Sequence, residues 1–356
     1  MGGEGGPSTG DGGEGETAIG RGRRRPRWLL PVGAVVLVAL AAAVAAVLSA
    51  RTGDGPDAGE VGLDAADTPL ADPDAADRPV PEVTTSLVVG GDPAGVAATA
   101  SAVWVADGSD GTVARLDPAT DEVVATVDVG SAPGGIAAAD SGVWVTHPAP
   151  EGSVSRIDAA TDEVVARIPV GPSPGAVAVT EDAVWVADGS DGTVARIDPA
   201  TDEVVATVDV GDGAVGVAAD DDAVWVATLG DEVRRIDPTT DEVVATVPTG
   251  VGPRDVALAG DGVWVTEAGA ETISRIDPEL DQVGGTARLA PEPRALAVGA
   301  GELWAATGLA VTRVDTATGA TTGTVELGAA VDDVAVAEGV LWVVTGADEA
   351  VTRIDL

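Results

Sequence analysis

The chain has 356 residues, of which 59 are acidic and 19 basic, giving a formal net charge of −40. It contains no Cys, Phe or Tyr; every base is Arg, and eight Trp are the only aromatic residues. Disulfides, zinc–thiolate centres and cysteine nucleophiles are thereby excluded, and nucleic acid is disfavoured as a partner, because affinity for it comes mainly from cations set against phosphates.

Residues 1–20 are Gly-rich with scattered acids and offer too little apolar surface to offset the entropy of ordering. With Arg21, Arg23, Arg24, Arg25 and Arg27 they make up a tail, 1–27, expected to be disordered and cytoplasmic. The run 28–50 holds 23 residues without a charge. At ~1.5 Å per residue it reaches about 34 Å as a helix, enough for a ~30 Å hydrocarbon layer. The basic cluster ahead of it predicts a cytoplasmic N-terminus and an exported remainder. A cleaved signal peptide is the competing reading. Its apolar core is typically ~7–15 residues, shorter than this run, so an uncleaved single-pass anchor in the cell membrane is favoured. Residues 51–81 are rich in Asp, Ala, Pro and Gly and read as a self-repelling acidic linker. From 51 onward there are 55 acids against 14 bases.

An internal repeat occupies the remainder. Trp recurs at 104, 144, 185, 225, 264, 304 and 342, at intervals of 38 to 41 residues. A period near 40 marks propellers and helical arrays. Each unit is Val-rich with turn residues every eight to ten positions, which selects short strands. In the third unit AVAVT (176–180), AVWVA (183–187), TVARID (193–198) and VVATVDV (204–210) are separated by turns. Four strands per unit make one propeller blade. The nearly continuous apolar strands fit blades covered on both faces.

The two ends of the repeat carry the decisive detail. The chain stops at VTRIDL (351–356), a third strand with no fourth after it. EVTTSLVVG (82–90) matches the fourth-strand segment DEVVATVDVG. The sequence therefore predicts an all-β, seven-bladed β-propeller over 82–356, in which the N-terminal strand completes the last blade and removes exposed edges.

VWVADGSDGTVARIDPATDEVVATVDVG and its copies resemble YVTN-type β-propeller repeats and those of the streptogramin (virginiamycin B) lyase-like superfamily. The resemblance covers about 82–356. It implies seven blades, extracytoplasmic placement in many members and often no assigned activity. Streptogramin lyases use more than one His with acidic residues and a magnesium ion. This chain has a single His, His147.

Candidate site residues follow from repeat symmetry. The residue three after each Trp reads Asp107, His147, Asp188, Thr228, Glu267, Thr307 and Thr345, a polar ring at one end of the second strands. It reads either as a ligand surface or as a set of turn caps. The loop entering each first strand reads Ala94, Gly134, Gly175, Val215, Arg254, Arg294 and Asp332 at one aligned position, with Asp255 and Asp333 beside it. Two Arg on adjacent blades of so acidic a domain could clamp a carboxylate or phosphate, and pairing with nearby acids is the structural alternative. Trp one per blade reads as packing. The third-strand Arg (115, 156, 196, 235, 275, 313, 353), each two residues before an Asp, read as structural pairs. DGSDG fails the spacing of a calcium loop and fits Asp-Gly hairpin turns.

The expected function is that of a membrane-anchored extracytoplasmic binding scaffold. Its ligand-binding candidates are Arg254, Arg294, Asp107, Asp188, Asp255, Asp332 and Asp333. The partner would be a small anion or an envelope protein. No cofactor or metal is called for, and the propeller is expected to be monomeric. The alternative is a lyase-like or hydrolytic enzyme with His147 and Glu267 as catalytic groups.

Overall fold

The computed structural model describes Gly2 and residues 79–356 apart from 131 and 149–151. The tail, the apolar run 28–50 and most of the acidic linker lie outside the described residues. Among the described residues no helix is long and apolar enough to cross a membrane.

The described strands form seven four-stranded antiparallel sheets. In the third unit the strands are Pro174–Val179, Val184–Asp188, Thr193–Asp198 and Glu203–Asp209, paired in that order. Turn residues bound each strand, and β-branched residues dominate between them, which suits a pleated backbone. The first strands of successive blades touch one another in an unbroken cycle, the seventh returning to the first. The units therefore close into a ring.

Closure uses both ends of the propeller sequence. Val83–Val88 pairs antiparallel with the last strand, Ala350–Asp355, and completes the sheet with Val340–Thr345 and Asp333–Ala337. The register is the one found elsewhere. In blade one, Arg115 faces Ala125 and Leu116 faces Val123, with a bulge between. In blade seven, Arg353 faces Thr85 and Ile354 faces Val83, with the bulge at the same place. A strand from far away in sequence thus reproduces the geometry of a local hairpin.

The core lies between blades. Each repeat Trp is at most 1% exposed. Trp104 packs with Val143, Val145 and Ile157 of blade two, and Trp342 packs with Val103, Val105 and Leu116 of blade one. An indole buries on the order of 200 Å², so one per interface dominates its apolar contact. The fourth strands depart from the expected burial on both faces. Val205 is 54% exposed and its neighbours alternate in and out of solvent, because the outermost strand lies on the rim, where neighbouring blades diverge.

The recurrent Arg also differ from expectation. They do not, as a set, pair with the Asp two residues on. Asp117 instead accepts the Ala119 N–H within its own turn. Arg115 stacks over Trp104, 5.3 Å from the ring centroid, and reaches Asp162 of the next blade at 3.0 Å. The same latch joins Arg156 to Asp202, Arg196 to Asp241, Arg235 to Asp281 and Arg353 to Asp121. The accepting Asp sits in each case at a φ of 51–58°. Asp tolerates this left-handed conformation better than most residues, which is why the turn ends in Asp.

Candidate functional site

The loops entering the first strands and the turns between second and third strands share one face. In blade one the Gly108 N–H donates to Asp92 O, and the Asp92 N–H donates to Asp107 Oδ1 at 3.1 Å. The polar ring lies at this end of the second strands, beneath the surface. All seven members are at most 6% exposed.

The polar atoms of six of them have hydrogen-bond partners. Asp107 Oδ1 accepts the N–H groups of Ser109 and Asp110 as well as that of Asp92. Burial works to raise its pKa, but the hydrogen bonds from Asp110, Asp92 and Ser109 prevail and hold it below the usual value. Asp188 repeats the arrangement with Ser173, Ser190 and Asp191. Glu267 accepts the Gly250 N–H at 2.7 Å and the Thr272 hydroxyl. Thr228 and Thr307 donate to Glu232 O and Ala310 O. Asp107, Asp188, Glu267, Thr228 and Thr307 thus act as caps that tie their turns to their own blades. Asp107 and Asp188 are therefore committed to backbone rather than turned toward a ligand.

His147 is 1% exposed, with Nε2 2.8 Å from Ser155 Oγ, itself buried. It belongs to blade two and Glu267 to blade five, so the fold places the two in separate blades. Among the described residues no group of three or more His, Asp or Glu is placed to hold a metal ion.

Asp255 and Asp333 act between blades. Asp333 Oδ2 accepts the Val96 N–H of blade one at 2.8 Å, and Oδ1 accepts the Val334 N–H. Asp255 likewise takes the N–H groups of Leu296, in blade six, and Val256, each at 2.8 Å. At the same inner-strand position other blades have Gly or Ala. A Cβ on Gly216 would stand 2.6 Å from Arg254 O, so the inner strands meet there without room for a side chain. Burial raises Asp255 to about 6 and Asp333 to about 7, the latter also through the charges of Asp255 and Asp332.

Beside exposed acids such as Asp110, Asp191, Asp212, Glu271 and Glu292, this face carries exposed Arg. Arg294 pairs with Glu292 at 3.2 Å and with Asp332 at 3.6 Å, and remains exposed. Asp332 Oδ2 also accepts the Gly346 N–H at 2.7 Å. Arg254 is exposed, and no ion pair or hydrogen bond holds its guanidinium among the described residues. Sequence reasoning missed Arg288. It ends the fourth strand of blade five, opposite Thr272, and is exposed and unpaired in the same sense. Its signal was available: strand ends at that position read Asp128, Pro169, Asp209, Pro248 and Glu326 in other blades. Three exposed Arg thus lie on one face of blades five and six, Arg254 and Arg294 on the innermost strands and Arg288 at the end of the outermost.

A cleft of about 760 Å³ opens on the opposite face, between blades four and five, and is lined by Trp225, Arg235, Asp261, Arg275 and Asp277 among others. It lies where Arg275 has turned to Asp261 of its own blade, away from its Trp. It lies on the face opposite Arg254, Arg288 and Arg294, and its charged lining is five acids against two Arg.

No family model matches the chain, and no curated protein matches it. Among solved structures, Kuenenia stuttgartiensis hydrazine synthase is similar, with a TM-score of 0.62 and 17% identity over 74% of this chain and 96% of that one. At that identity the likeness shows the fold alone, a β-propeller of a kind that hosts unrelated activities. The class established is therefore a seven-bladed β-propeller.

Proposed function

We propose that the protein is a binding propeller that takes anionic groups on the face bearing Arg254, Arg288 and Arg294. One observation carries this reading. Two exposed guanidiniums stand without partners on blade five of a domain whose other described Arg are paired. Asp231, Asp255, Glu267 and Asp332 on this face already accept backbone N–H groups. A guanidinium fork matches a carboxylate or phosphate bidentately. The basic cluster and apolar run ahead of the propeller support the further reading that it is anchored to the cell membrane and faces the extracytoplasmic space. The lyase-like alternative gains no support, since His147 and Glu267 are buried in separate blades.

The test is calorimetric titration of the full chain with citrate and with phosphate. Saturable binding that is abolished in the Arg254→Ala, Arg288→Ala double variant is the expected result. No binding, or binding indifferent to those substitutions, overturns the reading.

A further inference from the structure

We infer that the sector bearing Arg254, Arg288 and Arg294 is built to receive the free carboxylate end of an aliphatic peptide. The inference rests on the anion-binding reading above and adds the class of partner.

Leu229, Val251 and Leu309 lie on the same face as the three Arg, on blades four, five and six, and are 61%, 58% and 53% exposed. Each is held by backbone bonds. The Leu229 N–H donates to Asp212 O and Gly213 O, each at 3.0 Å. Val251 O accepts the Gly269 N–H at 3.0 Å, while Gly250 and Gly252 on either side donate to Glu267 and Asp231. Leu309 O accepts the Leu327 N–H at 2.9 Å. Apolar groups fixed in advance cost little ordering entropy when a partner covers them. The corresponding turns of blades one and three read DGSDG, at 107–111 and 188–192. Among the described residues of blades one to three, none on this face is a large exposed hydrophobic. Val88 of blade seven, 74% exposed, also ends on this face; the three anchors and the Arg lie on blades four to six, with Val251 and Arg254 on blade five only three residues apart.

A small polar anion would leave the three aliphatic side chains in water. A polypeptide rich in carboxylates, or an anionic bilayer, would meet the repulsion of a region with 55 acids and 14 bases. A chain terminus brings one carboxylate, next to side chains that can cover Val251 and Leu229. Guanidinium and carboxylate then pair beside apolar contact, where water is partly excluded and the pairing strengthens.

The test is calorimetric titration of the full chain with acetyl-Ala-Val-Val-Leu as the free acid, with the same peptide amidated at its C-terminus, and with citrate. The free acid is expected to bind, and the amide at least about tenfold more weakly. The Leu229→Ser, Val251→Ser double variant should weaken the free acid at least about fivefold and leave citrate unchanged. Leu280→Ser, an exposed leucine on the opposite face, should change nothing. Equal binding of acid and amide, or indifference to the Leu229 and Val251 changes, overturns the inference. Binding of phosphatidylglycerol vesicles in place of the peptide overturns it as well. Citrate binding without peptide binding overturns this inference and leaves the anion-binding reading standing; failure of both probes overturns both.

Discussion

Arg353, three residues from the end of the chain, donates through Nη1 to Asp121 Oδ1 at 2.9 Å, across the interface between the seventh blade and the first. The same guanidinium lies 5.7 Å from the Trp342 ring centroid and donates to Pro118 O. Its pKa is raised, first by the hydrogen bond to Asp121. The latch that local repeats make between neighbours is therefore made again between residues 232 apart in sequence.

Arg353→Ala removes the ion pair, the carbonyl contact and the stacking together, and should cost about 1–2 kcal/mol in chemical denaturation. Asp121→Gly relieves the positive φ while removing the acceptor, so its cost should be smaller. A double-mutant cycle yielding no coupling between the two positions would contradict the latch.

The latch fails at two interfaces, for readable reasons. Blade seven has no turn between its third and fourth strands, so Arg313 turns to Glu302 and Thr322 of its own blade. Blade six has Gly319 at the position of the accepting Asp, with φ 73°, and Arg275 turns to Asp261. A Cβ on Gly319 would stand 3.7 Å from Trp264, an ordinary contact. Gly319→Asp should therefore be more stable than Gly319→Ala by about 0.5 kcal/mol or more, since Asp tolerates the positive φ better than Ala and also gives Arg275 an acceptor. The advantage should shrink in 1 M salt, and its absence at low salt would refute the account.

Asp255 and Asp333 make stability depend on pH with a definite sign. Their folded-state values, about 6 and about 7, lie above the ordinary 3.8. Between roughly pH 4 and 7 the unfolded chain releases these protons while the folded chain keeps them, so their contribution to stability falls as pH rises and levels off above pH 7. In Asp333→Asn the drop in unfolding free energy between pH 5 and pH 8 should be smaller than in the parent protein by about 1 kcal/mol or more. Urea titrations at the two pH values measure it; an unchanged drop would mean that Asp333 stays ionised.

Removing 79–90 deletes the strand that covers Ala350–Asp355. The last strand would then present unpaired N–H and C=O groups along the rim, and the seventh blade would lose its outer layer. Loss of the cooperative thermal transition, or oligomerisation through the bared edge, is expected. A truncated chain with an unchanged melting temperature would refute closure.

Much of the architecture was legible without coordinates. The Trp period, the turn residues and the matching of 82–90 to a fourth strand specify seven blades and their closure, because strand pattern and hairpin turns are local and the repeat supplies many copies of one signal. The paired reading of the third-strand Arg holds at Arg353, whose Nε donates to Asp355 Oδ1 at 2.9 Å, and is wrong about the main partner elsewhere. Sequence distance favours the Asp two residues away, whereas packing brings the next blade's turn closer to a guanidinium already stacked on Trp. The polar ring was located correctly as a ring, but only the folded chain shows that its members are turned inward to backbone N–H groups. His147 and Glu267 could be singled out by type alone; burial and their separate blades depend on where the ring puts them. Likewise Arg288, Leu229, Val251 and Leu309 share no sequence motif, being scattered over some eighty residues. They become one surface because closing seven sheets into a circle carries the same end of every blade to the same face, and that juxtaposition is a property of the ring and not of any stretch of chain.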